Sequence, residues 1–264
     1  MRFFLLPKTF SGQPQIELTG KDANYLVNVL RLREGARIMG RDRDGNPWDL
    51  LILSKTKTSC VLSCTQAESI TEATDTMPTF RPTCPIVLYQ CLPKGRKTDE
   101  IVKRATEAGV SAVVLVQSRN CVASFEGKED SKLSRYDAIV TEAVQQSGSS
   151  VPTKVEGVIA IDEICADFRK RMEAAGCSSP LGIVLHQSSL EGQDRTVISL
   201  MNDVHPDGVA IVVGPEGGLE ESECSRLIEG GFHACVLRTN ILRCETASIY
   251  TIGLVQSLLE EACV

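Results

Sequence analysis

From residue 86 onward the chain alternates short apolar runs with amphipathic stretches, and this alternation constrains the fold more than any other feature. Ile86–Leu92 reads as a continuous apolar strand, and Asp99–Ala108 as an amphipathic helix ending at Gly109. Ala112–Val116 follows as a strand, then Ser131–Gln146 as a helix closed by Gly148, and Ile161–Ala175 as a helix ending at Gly176. Leu181–Leu185 and the wholly apolar Gly208–Val213 are strands, Glu220–Glu229 is a helix capped by Gly230 and Gly231, and Ala234–Leu237 is a strand. A long last helix runs from Arg243 to Glu261. Glycine just past a helix adopts the left-handed conformation that closes it. Strands without a polar face must be covered on both sides, so this order predicts a mainly parallel α/β sheet with helices on both faces.

The first 75 residues follow a different pattern. Arg2–Leu6, Gln15–Thr19, Ala36–Arg41, Trp48–Leu53 and Ser59–Cys64 read as short strands around one helix from Lys21 to Leu32, with a turn at Asp44-Gly45. Short strands with one helix predict a small β-barrel. Thr71–Pro85 is rich in Thr, Pro and Asp and reads as a linker, which divides the chain into residues 1–75 and 76–264.

Composition narrows the function classes. Hydrophobic residues at 42% and charged residues at 23% describe an ordinary globular protein and argue against disorder or fibrous repeats. No stretch approaches the ~20 apolar residues of a membrane span. The start, Met1 to Leu6, carries one charge and is ended by Pro7 and Lys8, too short for a signal peptide, so a cytoplasmic location and no membrane partner are expected. Eleven cysteines include no Cys-x-x-Cys pair and are odd in number, and the three histidines lie far apart. Buried reduced thiols and no metal are expected. The net charge of −6 does not favour a nucleic-acid partner; residues 1–75 carry +1 and the remainder −7. RNA affinity would therefore rest on local basic patches.

Open α/β sheets bind ligands beyond the carboxyl ends of their strands. Three such ends are unusual: Leu185-His186-Gln187, Gly214-Pro215-Glu216-Gly217-Gly218, and Leu237 through Ala247. The glycine-rich turn permits positive φ and close backbone approach, but it lacks the Gly-Lys-Ser/Thr of a phosphate loop and is also what any tight turn would show. Arg243 lies at a helix start, where a cation opposes the dipole; it should answer an anion or pair with Glu216, Glu220 or Glu245. Lys94, Arg96 and Lys97 form a basic cluster after the first strand of the large region, and Arg31, Arg33, Arg37, Arg41 and Arg43 a second in the small one, either phosphate contacts or solvated faces.

Read in order, Leu92-Pro-Lys-Gly-Arg-Lys-Thr-Asp99, Lys103-Arg-Ala-Thr-Glu-Ala-Gly-Val110, Glu142-Ala-Val-Gln-Gln-Ser-Gly148, Gly214-Pro-Glu-Gly-Gly218 and Leu242-Arg-Cys-Glu-Thr-Ala247 resemble the signature segments of the RsmE family. The helix Asn24-Tyr-Leu-Val-Asn-Val-Leu-Arg-Leu-Arg33 is also similar, and the likeness runs from Arg2 to Glu260. The resemblance implies a trefoil-knotted α/β domain of the SPOUT superfamily behind a small PUA-like β-barrel that contacts RNA. Periodicity alone leads instead to an unknotted sheet. It further implies a homodimer that uses S-adenosylmethionine to methylate N3 of a uridine in the 16S ribosomal RNA of the small subunit, on the RNA or the 30S particle. Two positions depart from the family pattern, Gln145 in place of a glutamate and Ser149 in place of an arginine.

On this reading Leu185, Leu237, Ile241 and Leu242 wall an adenine. The backbone of Gly214, Pro215, Glu216, Gly217 and Gly218, with residues 237–242 including Asn240, meets its edge; His186, Gln187 and Thr246 complete the cofactor set. Arg243 is the candidate to stabilise charge developing on the uracil. Glu216 or Glu245 is the candidate base, and Arg2, Arg31, Arg33, Lys94, Arg96 and Lys97 are expected to face RNA. A non-catalytic RNA-binding protein on the same fold, an enzyme of a small molecule, and a methyltransferase of another RNA are the competing readings.

Overall fold

The computed structural model describes residues 3–67, 84–125, 127, 129–186 and 195–261. They group into two compact units, one within Met1–Phe80 together with Thr141–Pro152, the other within Arg81–Val140 and Thr153–Val264. Most of the linker expected over Thr71–Pro85 lies outside the described residues.

In the first unit β1 (Phe4–Leu5), β2 (Gln15–Thr19), β3 (Arg37–Arg41), β4 (Pro47–Lys55) and β5 (Ser59–Gln66) form one sheet in the order β1-β3-β4-β5-β2. All pairs are antiparallel except β1 with β3, so the sheet is a mixed half-barrel. Strand β2 alternates exposed and buried residues and turns Ile16 and Leu18 inward; β5 does the same with Cys60, Leu62 and Cys64. That period of two is what a half-buried strand requires. These residues pack with Phe4, Leu26, Trp48, Leu50 and Ile52 into one core.

The helix expected over Lys21–Leu32 is shorter and irregular. Helix α1 (Gly20–Asn24) passes into a wider π turn over Tyr25–Val29, and Arg31 ends it at φ +54°. Val27, Asn28 and Val29 are weak helix formers, which explains the loss of regular geometry. The segment Thr141–Pro152 completes this unit. Phe3 N–H donates to the Gln145 carbonyl at 3.2 Å. The Phe3 ring lies over Gly148, where φ is +73° and a Cβ would stand 2.5 Å from the ring. Gln145 is buried, and the Ser149 hydroxyl accepts from Val151 N–H at 3.2 Å. The two positions that depart from the family pattern thus hold a buried neutral amide and a turn cap.

The second unit contains β6 (Ile86–Cys91), α2 (Lys97–Glu107), β7 (Ala112–Gln117), α3 (Glu129–Ser147), whose last residues belong to the first unit, and β8 (Lys154–Ala160). It continues with α4 (Ile164–Ala174), β9 (Pro180–Leu185), α5 (Val197–Val204), β10 (Gly208–Val213), α6 (Glu221–Glu229), β11 (Phe232–Cys235) and α7 (Cys244–Glu261). Its six strands are all parallel, in the order β11-β9-β10-β6-β7-β8. Every residue of β6 and β10, the two central strands, is buried. Val87, Tyr89, Val114 and Val212 pack under Ile164, Phe168 and Met172 of α4 and Cys224 and Leu227 of α6. On the opposite face α2 and α5 pack on α7, where Ile101, Ala105, Leu200, Ile252 and Val255 are buried.

Two elements have no counterpart in the sequence reading. Strand β8 is an edge strand whose interior residues are all half-buried, so it shows neither alternation nor an apolar run. Helix α5 is only eight residues long. The ten described cysteines are free thiols. Among the described residues no helix is long and apolar enough to cross a membrane, and no group of His, Cys, Asp and Glu side chains is placed to hold a metal ion.

Candidate active site at the carboxyl ends of the sheet

The strand order reverses direction between β6 and β10. From β6 the chain proceeds outward through β7 to β8, while β10 leads away on the other side to β9 and β11. The helices that follow the two strands leave on opposite faces, α2 toward α7 and α6 toward the face of α4. Their connections therefore diverge at a topological switch point, the place where open α/β sheets bind ligands. Register puts the strand ends level: Val213 pairs with Gln90, Val212 with Val184, and Cys235 with Leu185. Residues 236–243 join β11, at one edge, to α7, which packs on β6 and β10. The chain must cross the ends of β9 and β10 to do so.

The loop Gly214–Gly218 is tightly turned, with Gly218 N–H donating to the Pro215 carbonyl at 2.9 Å and Gly218 at φ +71°. A Cβ on Gly217 would lie 3.2 Å from Asn120 Cβ, and one on Gly214 as close to Leu219. Glycine is therefore favoured by conformation at Gly218, and at the other two a side chain would meet a tight contact. Asn120, in the turn after β7, donates from Nδ2 to the carbonyls of Gly217 at 3.4 Å and Gly218 at 3.2 Å.

Glu216 and Glu245 share one cation. Lys97 Nζ lies 2.8 Å from Glu216 Oε1 and 3.3 Å from Glu245 Oε2, and Lys94 N–H donates to Glu216 at 3.2 Å. Partial burial pushes the Glu216 carboxyl up, but Lys97 and amide hydrogen bonds outweigh it and hold it below the usual range. Glu245 behaves alike: burial raises it, while its own amide, the Cys244 thiol and Lys97 together leave it low. The Lys97 ammonium is raised, chiefly by its hydrogen bond to Glu216. Both carboxylates are ionised at neutral pH, and ion pairing makes each a weaker base than a solvated one.

Beneath them, Gln90 is fully buried in an otherwise apolar strand. It donates to the Cys91 carbonyl at 2.9 Å and accepts from the Ser248 hydroxyl at 2.6 Å. This bond ties α7 to the centre of the sheet. Burial of an amide without such partners would cost ~1–3 kcal/mol.

The remaining sequence candidates fall into three groups. Arg243 is exposed, and its side chain has no ion pair or hydrogen bond among the described residues. It does not pair with Glu216, Glu220 or Glu245, the partners its helix-start position suggested; Glu220 pairs with Arg119 instead. Ile241 is 83% exposed, Leu185, His186, Leu237 and Leu242 are partly buried, and Pro215 is buried. Asn240 and Thr246 are exposed. No hydrogen bond among the described residues uses the backbone of Asn240, Ile241 or Leu242. Lys94 and Arg96 are exposed in the turn after β6, and Arg31 and Arg33 are exposed in the first unit. Arg2 and Gln187 lie outside the described residues.

Asn120, Gln90 and Ser248 were missed by the sequence reading. A glutamine inside an apolar strand was a legible signal for Gln90; Asn120 carried none, because only folding brings it to the glycine loop.

A parallel sheet with a topological switch point, accompanied by a small mixed sheet, is the architecture of a ligand-using α/β enzyme with an appended β unit. The model described as "RNA methyltransferase domain" matches residues 81–256, and "RNA methyltransferase PUA domain" matches residues 18–63. The chain therefore belongs to the RNA methyltransferase domain family. It is 29% identical over 261 residues to the ribosomal RNA small subunit methyltransferase E of Bacillus subtilis, covering 96% of this chain and 94% of that one. It is 31% identical over 180 residues to the protein of the same name from Mycobacterium bovis, covering 68% of this chain and 64% of that one. A crystal structure of the ribosomal RNA small subunit methyltransferase E of Neisseria gonorrhoeae bound to S-adenosyl methionine superposes with a TM-score of 0.77 at 25% identity, over 98% of each chain.

Proposed function

We propose that this protein is an S-adenosylmethionine-dependent methyltransferase of small-subunit ribosomal RNA, acting at N3 of a uridine. The observation that carries the reading is the β6/β10 switch point, in a chain that matches relatives of that name along nearly its whole length. The residues there fit the cofactor. An adenosine needs apolar walls and backbone donors and acceptors at its edge. Ile241, Leu242, Leu237 and Leu185 are apolar side chains left wholly or partly uncovered, and the backbone of 240–242 makes no bond among the described residues. The glycine loop 214–218 adds close backbone approach, and Lys97 ties its Glu216 to Glu245 of α7.

When bound, the cofactor supplies an electrophilic methyl group on a sulfonium. The chain must bind, orient and balance charge. Uracil N3 becomes a nucleophile by losing its proton, and the resulting charge spreads over N3 and the flanking oxygens. Arg243, just before α7 and with its side chain exposed and unpartnered among the described residues, is the cation we assign to stabilise it. Lys94 and Arg96 in one unit and Arg31 and Arg33 in the other are cations for phosphate contacts, which position an RNA without reading its sequence.

A homodimer is proposed as well, through the exposed apolar residues of α7 and α5. Ile252, Val255 and Leu259 of α7 are buried within the unit itself. Ile249, Leu254 and Leu258 are partly covered, while Tyr250 and, on α5, Ile198 are half exposed. Sedimentation equilibrium should give twice the monomer mass at micromolar concentration; a monomer alone would remove the dimer.

The function is tested by incubating the protein with radiolabelled S-adenosylmethionine and small ribosomal subunits from cells lacking the enzyme, followed by nucleoside mass spectrometry. Label recovered as 3-methyluridine at one site is expected. Cofactor binding without transfer would shift the search to another RNA, and no cofactor binding would favour a non-catalytic RNA-binding protein.

A further inference from the structure

One cation at the switch point is engaged differently from its neighbours. The side chains of Lys94 and Arg96 are exposed, with no partner among the described residues. Lys97 is the first residue of α2, where a cation opposes the helix dipole, and it is held there by two carboxylates. The three groups come from three elements that only folding brings together: the start of α2, the loop after β10, and the second residue of α7. Their side chains are 29%, 28% and 22% exposed, so water screens them only in part. Asn120 grips the same loop at its other end, through the carbonyls of Gly217 and Gly218.

We infer that Lys97 is a positioning residue: it latches the Gly214–Gly218 loop to the start of α7 through Glu216 and Glu245, and touches neither RNA nor the reacting atoms. This rests on the cofactor reading above, because the segments it ties together are those that would hold the nucleoside. Loop order present before binding need not be supplied by the ligand, so the latch should raise affinity through preorganisation. Removing the ammonium leaves two carboxylates facing each other without a counterion, and their repulsion should part the loop from the helix. The charged and titratable groups around the latch are Lys97, Glu216, Glu245 and the Cys244 thiol, which burial and Glu245 push up to about 12 and so keep neutral.

The test uses the full chain with Lys97→Met, Lys97→Arg, Glu216→Gln and the double variant Lys97→Met/Glu216→Gln. Binding of S-adenosylhomocysteine is measured by calorimetry, single-turnover transfer at saturating cofactor on small subunits, and amide exchange over residues 214–218. Lys97→Met should weaken binding about tenfold, the low end for a charged hydrogen bond once partial exposure is discounted. Transfer at saturation should change less than about threefold, as expected of an interaction felt equally in ground and transition states. Lys97→Arg should restore most of the affinity. The double variant should bind more tightly than Lys97→Met alone, since it removes the like-charge repulsion. On acidification below neutrality the parent should lose affinity as its carboxylates are protonated and release Lys97, whereas Lys97→Met should gain affinity, because protonating either carboxylate removes the repulsion.

Amide exchange at the loop should quicken in Lys97→Met whether or not the cofactor reading holds. If the parent binds no S-adenosylhomocysteine while exchange still quickens, the cofactor reading fails and the latch stands. Unchanged exchange and unchanged affinity would overturn the latch. So would loss of transfer at saturating cofactor with affinity intact, which would place Lys97 at the RNA or the reacting atoms.

Discussion

The two ends of the parallel sheet are built from the same strands and finished in opposite ways. At the amino end polar groups are answered within the chain. Asp207 accepts from Ser178 N–H at 2.6 Å, the Ser178 hydroxyl at 2.8 Å and Ser179 N–H at 2.8 Å. The Thr153 hydroxyl, buried, donates to the Val110 carbonyl at 2.6 Å. At the carboxyl end the chain leaves the backbone of 240–242 unbonded among the described residues, Ile241 uncovered, and the Arg243 side chain without a partner among them. Other groups of that end, among them Lys97, Asn120 and the Gln90–Ser248 pair, are satisfied and anchor it. A sheet gains stability from both ends but can recognise a ligand only where groups are held in place and left unanswered. The difference makes the carboxyl end the candidate working end independently of any motif.

The comparison is broken most severely at Arg243. Arg243→Ala should lower the single-turnover transfer rate ~100- to 1000-fold, as loss of one charge-stabilising donor does, and leave S-adenosylhomocysteine affinity nearly unchanged. Equal loss in rate and affinity would move Arg243 from the substrate to the cofactor. The opposite end should respond in the opposite currency. Thr153→Val keeps the side-chain shape and leaves the buried Val110 carbonyl without its donor, at about 1–3 kcal/mol. The melting temperature should fall by several degrees while transfer at 25 °C stays as in the parent; a loss of transfer without a loss of stability would erase the division between the ends.

The smallest effect is one of pH. The Asp207 carboxyl is held below its usual range, first by Ser178 N–H and then by the Ser178 hydroxyl and Ser179 N–H. A depressed carboxyl contributes stability in full above its unfolded pKa of about 4, and the contribution is lost as pH falls through the folded value. The decline of melting temperature on acidification below pH 5 should be shallower in Asp207→Asn than in the parent. Identical acid limbs would show that the hydrogen bonds at this end do not discriminate the charge.

Much of the fold was legible where burial imposed a period. Gly208–Val213 and Gln15–Thr19 match their expected bounds because one is apolar throughout and the other alternates strictly. The final helix begins at Cys244, one residue from its expected start. Strand β8 was not legible, since an edge strand half-covered on both faces carries no periodic signal. Nor was the grouping of Thr141–Pro152 with the first unit, which depends on the Phe3 ring meeting Gly148 and not on local pattern. In the site, Gly214–Gly218 and the segment from Leu237 announced themselves by composition, and both prove to border the switch point. The partner of each charge did not, because charge pairing depends on side chains from distant elements.

By itself, the sequence determined that this chain makes an α/β sheet with a separate small β region, and that the last third carries the unusual strand ends. Hydrophobic period and glycine placement are local properties, so they can be read in order along the chain. Only the tertiary structure decided that the strand order reverses between β6 and β10, that Lys97 is bound by Glu216 and Glu245, and that the Arg243 side chain is left without a partner among the described residues. Those facts follow from how distant segments are brought side by side, and short-range pattern contains no record of it.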